Sequence, residues 1–216
     1  MITKILLAFA MVLSVVSHPA FVVTLRVKTA SGAAASPQVF AAIMTKIKAR
    51  LVAARVQAAI KASSGRRLQV ATSHPLSPLE QELLTASGEV VFRIEPNGPT
   101  YHLSPDQPVI RTRLDRDQSG RPILLFFPTN SRSFQEFTAK YIGRQMALSL
   151  DHRTLMKGTI YGPISGQGVL IGNFSRQELR CYSAIINSKF PSNAKVTVVR
   201  PSVGGFPNDQ STKGLS

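Results

Sequence analysis

The spacing of apolar residues alternates along the chain between helical and strand-like patterns, and each change predicts a new helix or strand. Apolar residues spaced by three and four between Phe40 and Ala58 predict the longest helix, which a polar stretch at 63–65 ends. Its cations, among them Lys48, Arg50 and Arg55, are interpreted as a solvated face. Strands at 21–28, 67–72 and 89–94 and a short helix at 78–84 complete a β-α-β-α-β block.

A second group of elements follows a proline-rich link. Phe134, Phe137 and Tyr141 recur at i, i+3 and i+7 and predict a helix that Gly143 ends. Ser175, with Glu178 three residues later, forms a capping box that opens another helix. The remaining predicted elements are strands at 109–114, 122–127, 146–150, 155–161, 169–171 and 195–200.

These elements predict an α+β protein with two small sheet-and-helix subdomains. The division along the chain is a signal or anchor at 1–20, a base-like subdomain at 21–95, a linker at 96–108, a second subdomain at 109–201 and a flexible tail at 202–216.

The N-terminus predicts export. Lys4 is followed by an unbroken apolar run at 5–16 and then by small residues, a pattern typical of a secretory signal. The run is shorter than the roughly 20 residues that span a membrane, which favours cleavage. If the run continues through 21–23, it would instead serve as an uncleaved anchor. We therefore expect a periplasmic location, with or without attachment to the inner membrane.

The charge of the chain predicts attraction to anions. The formal net charge is +15, and all eleven acidic residues lie at Glu80 or later. The chain has no Trp and only four Tyr, and it carries no recognition-helix or RNA-binding signature, so specific nucleic-acid recognition is not expected. Weak association with an acidic membrane surface is expected instead. The lone Cys181 excludes an intramolecular disulfide and is predicted to be a core residue.

The candidate catalytic and metal motifs all favour structural roles. Asp115, Asp117 and Ser119 begin like a calcium loop, but Phe126 stands where a bidentate Glu is needed, so a hairpin turn is favoured. Asp151 and His152 are interpreted as a solvated turn. We therefore predict no catalytic residue, no metal site and no cofactor, and a protein that is not an enzyme.

The stretch at 134–178 resembles the head of the first periplasmic domain of SecD, the accessory subunit of the bacterial Sec protein-export channel. The matching positions are Phe134, Thr138, Ile142, Gly143, Met146, Ala147, Leu150, Asp151, Pro163, Ile164, Gly172, Phe174, Ser175 and Glu178. The first subdomain is similar to the SecD base, most clearly at Val91, Phe92 and Arg93. Of the signature that SecD proteins carry in the first strand, only Leu25 and Arg26 remain.

This resemblance implies a ferredoxin-like base, an α+β head and a non-enzymatic role in Sec-type protein export. The implied partners are unfolded or translocating polypeptides and components of the Sec translocon. The predicted polypeptide-binding residues are Tyr161, Pro163, Ile164 and Gly166, in a loop that offers an aromatic ring and accessible backbone. Structural roles are predicted for Thr138, Gly143, Asp151, Gly172, Phe174, Ser175 and Glu178, with a positive φ at both Gly143 and Gly172.

Two alternatives stay open at this point. The first is an orphan periplasmic adaptor that binds another protein or an anionic surface through its basic face. The second is a secreted enzyme, although the sequence shows no cluster of polar residues that would form its active site.

Overall fold

The computed structural model describes residues 21–102, 110–128 and 131–199. Within these ranges the chain forms eleven strands and four helices. They are β1 (Phe21–Thr29), α1 (Pro37–Ala54), β2 (Ala58–Ser63), β3 (Arg67–Thr72), α2 (Pro78–Thr85), β4 (Val90–Glu95), β5 (Thr100–His102), β6 (Ile110–Arg116), β7 (Pro122–Pro128), α3 (Ser131–Ala139), β8 (Gln145–Leu150), β9 (Arg153–Thr159), β10 (Gly168–Leu170), α4 (Arg176–Asn187) and β11 (Ala194–Val199). The predicted signal, the tail and residues 103–109 of the link lie outside the described residues.

One sheet has the ferredoxin-like arrangement. Its four strands lie in the order β11-β1-β3-β2, and all neighbours are antiparallel. Helices α1 and α4 pack together, and the side-chain amide of Gln177 donates a 3.0 Å hydrogen bond to the Ala54 carbonyl. Leu25, Leu68 and Ile43 are fully buried in the shared core. The predicted α+β class is confirmed.

The ferredoxin-like sheet takes its elements from both ends of the described chain. Strand β11 pairs with β1, while β4, which closes the predicted β-α-β-α-β block, pairs with β8 in a second sheet of order β5-β4-β8-β9. A third sheet has the order β10-β7-β6. The subdomain boundaries at 95 and 109 stay a prediction.

The long helix is shorter than its pattern predicts. It ends at Ala54, because Arg55 takes a left-handed conformation with φ 58° and caps the last turn through its backbone N–H. The predicted helical residues around Ala58 instead form β2, which pairs with β3 along its whole length. The tertiary pairing of this segment outweighs its helical pattern.

The prediction that all the cations of α1 lie on a solvated face is wrong for Arg50. Its side chain is fully buried and donates hydrogen bonds to the carbonyls of Leu83 at 3.1 Å, Ala86 at 2.7 Å and Ser188 at 3.1 Å, with longer contacts to two more carbonyls. Burial lowers the pKa of Arg50 to about 9. The guanidinium joins α1 to the ends of α2 and α4, and it lies 3.7 Å from the Phe190 ring centroid.

Two smaller predictions are confirmed. Residues 117–121 form the turn of the β6–β7 hairpin, and Asp117 accepts hydrogen bonds from the backbone N–H groups of Ser119 and Arg121. Cys181 is fully buried, and burial raises the pKa of its thiol to about 11. None of the helices that the structure describes has the length and apolar character needed to cross a membrane.

Candidate functional site

The loop between β9 and β10 presents an almost fully exposed aromatic ring. Tyr161 is 91% exposed, the highest exposure among the large hydrophobic side chains described. Pro163 is also exposed, whereas Ile164 is half-buried and packs against the core. Gly166 has a φ of +95° and lets the loop turn back toward β10. Of the predicted binding residues, Tyr161 and Pro163 are therefore accessible to a partner, while Ile164 anchors the loop.

Hydrogen bonds fix this loop on both sides of Tyr161. The N–H of Gly143 donates to the Ile160 carbonyl at 2.8 Å, and the N–H of Ile160 donates to the Arg144 carbonyl at 3.0 Å. After Tyr161, the N–H of Ile164 donates to Thr138 Oγ1 at 2.9 Å. The aromatic ring is thus displayed from a restrained backbone, which reduces the entropy lost on binding.

Thr138 is the buried residue whose hydroxyl group restrains this loop. Its side chain is fully buried on α3, and its hydroxyl donates to the Phe134 carbonyl at 3.0 Å while it accepts from Ile164. Only a small side chain with both donor and acceptor capacity can make both bonds here. The predicted motif residue therefore connects α3 to the loop.

A row of aromatic rings runs from the core to the surface beside the loop. Phe134 is buried, its ring centroid is 6.5 Å from that of Phe137, and Phe137 is 5.3 Å from Tyr141. Ile142, the next residue, is 53% exposed. Gly143 then has the predicted positive φ, at +83°, which turns the chain into its hydrogen bond with Ile160. Because the backbone of Gly143 pairs with that of Ile160, Ile142 and Tyr161 follow each other across the two paired segments.

The strand that leads into the loop lies at a sheet edge. Along β9, one side pairs with β8, and within the described residues no strand pairs with the other side. Lys157 and Arg153 lie on this strand, near Glu95 at 3.9 Å and Glu82 at 3.4 Å respectively. An edge strand offers backbone donors and acceptors to an extended chain, and edge cations protect it from indiscriminate pairing.

The remaining motif residues shape the start of α4. The Ser175 hydroxyl accepts from the Glu178 N–H at 3.1 Å, and the Glu178 carboxylate accepts from the Ser175 N–H at 2.8 Å, which confirms the capping box. These hydrogen bonds lower the pKa of Glu178. Phe174 packs edge-on against the Tyr182 ring at 6.0 Å between centroids.

Gly172 departs from the prediction. It does not adopt a positive φ; instead, a Cβ atom at this position would lie 2.6 Å from Cε2 of Phe174. A side chain at this position would force the Phe174 ring to move, because that ring lies against the Gly172 backbone. Close packing and a left-handed backbone give the same sequence signal, so the pattern could not distinguish them.

Asp151 is not a freely solvated turn residue. Its carboxylate accepts hydrogen bonds from the Ser87 hydroxyl and from the backbone N–H groups of Gly88 at 3.3 Å and Glu89 at 3.0 Å. The β8–β9 turn is therefore fixed to the segment between α2 and β4. The Asp151 carboxylate therefore accepts hydrogen bonds from this segment. The neighbouring His152 side chain is exposed to solvent.

A cleft of about 630 Å³ lies beside this turn, and sequence reasoning missed it. Ser87 and Asp151 line one part, and Phe190 and Lys195 line another. These residues come from four separate segments, so no local pattern could indicate the cleft. Among the described residues, no three His, Cys, Asp or Glu side chains come together as a metal site.

The comparisons with known proteins support the resemblance seen in the sequence. No protein-family model matches this chain. It is 30% identical over 116 residues to protein translocase subunit SecD of Rhodobacter capsulatus, which covers 50% of this chain and 20% of that protein. It is 31% identical over 103 residues to SecD of Aquifex aeolicus, covering 45% of this chain and 21% of that protein.

Solved structures share the fold. A structure of SecDF, described as a membrane component that enhances protein export, matches with a TM-score of 0.58 and 21% identity, over 83% of this chain and 99% of that chain. SecDF in a super-membrane-facing form matches with a TM-score of 0.62 and 19% identity, over 84% of this chain and 30% of that chain. The chain spans between 20% and 28% of the length of the curated relatives it matches. The resemblance to SecD is confirmed, in sequence over about half of the chain and in fold over most of it.

Proposed function

We propose that the protein is a non-enzymatic periplasmic module that binds unfolded or translocating polypeptide in support of Sec-type protein export. The observation that carries this proposal is the exposed Tyr161 ring, held on a restrained loop beside the open edge of β9. The similarity to SecD and SecDF supports a role in protein export. Components of the Sec translocon are the second proposed partner.

The edge and the loop provide two complementary kinds of contact. Backbone groups along β9 bind an extended chain without regard to its sequence, because every residue except proline offers a donor and every residue offers an acceptor. Tyr161, Pro163 and Ile142 offer apolar contact next to that edge. Such a surface suits a passing polypeptide of changing sequence.

The affinity should be modest. An unfolded polypeptide loses conformational entropy as it orders along an edge strand, so dissociation constants in the micromolar range or weaker are expected. The net charge of +15 should speed encounter with acidic segments at low salt. Contact through the strand edge and Tyr161 should persist at physiological salt, because it does not depend on charge.

The proposal is tested by titrating the protein with a reduced, permanently unfolded protein at low and at physiological ionic strength. Tyr161→Ala is compared with Val52→Ala, which truncates another exposed apolar side chain, 78% exposed, on α1. Ile164 is unsuitable for this purpose because it packs against the core, so its substitution would disturb folding.

We expect Tyr161→Ala to weaken binding about tenfold, since truncating an exposed aromatic anchor at an interface commonly costs 1–2 kcal/mol or more, while Val52→Ala binds like the parent. Binding that ignores Tyr161→Ala and vanishes when salt is raised would contradict the proposal. That result would favour an adaptor that uses only its basic surface.

A further inference from the structure

Three arginines converge at one end of the ferredoxin-like sheet; we name Arg55, Arg176 and Arg180 the arginine cluster. Arg55 follows α1 directly, while Arg176 and Arg180 lie one helical turn apart on α4. The hydrogen bond from Gln177 to the Ala54 carbonyl fixes the start of α4 beside the end of α1. Desolvation, followed by repulsion from Arg55 and Arg176, lowers the pKa of Arg180.

The acidic groups beside this cluster have other partners. None of its three guanidinium groups forms an ion pair with any acidic residue that the structure describes. Asp115 lines a cleft together with Arg176, but its carboxylate pairs with Arg113 at 3.3 Å. Glu80 and Glu178 are engaged in the capping boxes of α2 and α4. Like charges held together in this way repel one another, and a bound anion would relieve that repulsion.

The chain enters the sheet at this same end. Phe21, the first residue of β1, is opposite Thr72, and Thr72 is also opposite Ala58, only three residues after Arg55. Phe21 is 44% exposed and Val22 is 54% exposed. Successive side chains of a strand face opposite sides, so Phe21 lies on the face of buried Leu25 and Val22 on the other face. Exposed apolar side chains are therefore present on both faces at this end of the sheet.

The sequence before Phe21 indicates what this end faces. The apolar run at 5–16 precedes Phe21 by only four residues, and four residues extend over at most about 14 Å. If this run is the uncleaved anchor that the sequence leaves open, it holds the end of the sheet that carries Phe21 close to the lipid surface. Arginine binds phosphate through two parallel hydrogen bonds, which suits phospholipid headgroups.

We propose that the arginine cluster, with Phe21 and Val22, is a docking surface for an anionic phospholipid membrane. The arginines bind the phosphate groups, and the two apolar side chains enter the interfacial region, an arrangement that many membrane-surface proteins share. This surface is distinct from the Tyr161 loop and does not rest on polypeptide binding.

The experiment measures binding of the full-length chain to vesicles of phosphatidylglycerol and phosphatidylcholine, and to vesicles of phosphatidylcholine alone. The cluster variant carries Arg55→Gln, Arg176→Gln and Arg180→Gln. The control variant carries Lys28→Gln, Arg67→Gln and Lys195→Gln, which remove the same charge from the opposite end of the same sheet. The N-terminal apolar run is present in all three proteins, so its contribution cancels. Thermal unfolding checks that both variants keep the parent fold.

Each basic residue close to an anionic membrane contributes a factor of about five to partitioning. We expect the cluster variant to bind the anionic vesicles at least tenfold more weakly than the parent, the control variant to lose less than threefold, and all three to bind neutral vesicles alike. Equal losses in both variants would show that only net charge matters and would overturn the proposal. A cluster variant that keeps vesicle binding but loses binding to polyglutamate would also overturn it, in favour of an acidic polypeptide partner.

Discussion

Replacing Arg50 with Met should destabilise the protein strongly, although the buried Arg50 belongs to neither proposed binding surface. Methionine keeps a long apolar stem but removes all the hydrogen-bond donors. The carbonyls of Leu83, Ala86 and Ser188 lose partners at 3.1, 2.7 and 3.1 Å, and the stacking on Phe190 is lost. The carbonyls belong to the ends of α2 and α4, where no backbone N–H is available to replace the guanidinium.

The expected loss in the free energy of unfolding is the difference between two opposing effects. Each hydrogen bond to a charged donor contributes about 1.5–3 kcal/mol, so three of them give a gross loss of roughly 5–9 kcal/mol. Removing the buried charge also removes its desolvation cost, which is several kcal/mol. We therefore expect a net destabilisation of about 3 kcal/mol, a large fraction of the 5–15 kcal/mol typical of a whole domain.

Urea unfolding followed by circular dichroism measures this difference. Lys48→Met is the matched control, because Lys48 is an exposed cation on the same helix and should change stability by less than about 0.5 kcal/mol. Arg50→Lys should lie between the two, since lysine keeps the charge but not the planar fork of donors. If Arg50→Met unfolds at the same urea concentration as Lys48→Met, the proposed role of the guanidinium in joining the three helices is wrong.

Three further predictions concern single side chains. Gly143→Ala should cost about 1–2 kcal/mol because of the φ of +83°, whereas Gly162→Ala, which meets no neighbouring atom and has no positive φ, should be nearly neutral; equal thermal midpoints would contradict this. The pKa of Glu178 is below its ordinary value of 4.5, so its contribution to stability is present above that value and is lost as pH falls through the folded-state pKa. Glu178→Gln should therefore be less stable than the parent at pH 7 and approach it in acid, and a difference that is independent of pH would refute the role of the carboxylate. Cys181, with its pKa raised to about 11, should resist thiol reagents at pH 8 until the protein unfolds, and rapid labelling of the folded protein would show that it is accessible.

Elements whose signals are local could be predicted from the sequence. The capping box of Ser175 and Glu178, the β6–β7 hairpin and the aromatic spacing of α3 all depend on residues a few positions apart. The helix itself ends at Ala139 and not at Gly143, which has its positive φ in the turn that follows and donates its N–H to the Ile160 carbonyl.

Features that depend on distant partners could not be predicted. Arg50 looks like its exposed neighbour Lys48 in sequence, and only the helix ends supplied by α2 and α4 explain its burial. The alanine-rich segment at Ala58 has a helical pattern, but pairing with β3 makes it a strand. Asp151 gained its role through residues more than sixty positions away, and β11 completes a sheet that begins at Phe21.

The central claim, that the Tyr161 loop beside β9 contacts unfolded polypeptide, is tested most directly by site-specific photo-crosslinking. A photoreactive phenylalanine analogue is placed at Tyr161 in one protein and at Val52 in another; Val52 is 78% exposed but lies on α1. Each is irradiated with a reduced, unfolded protein and with the same protein folded. We predict crosslinks from position 161 to the unfolded protein alone and few or none from position 52. Equal crosslinking from both positions, or equal capture of folded and unfolded protein, would contradict the account.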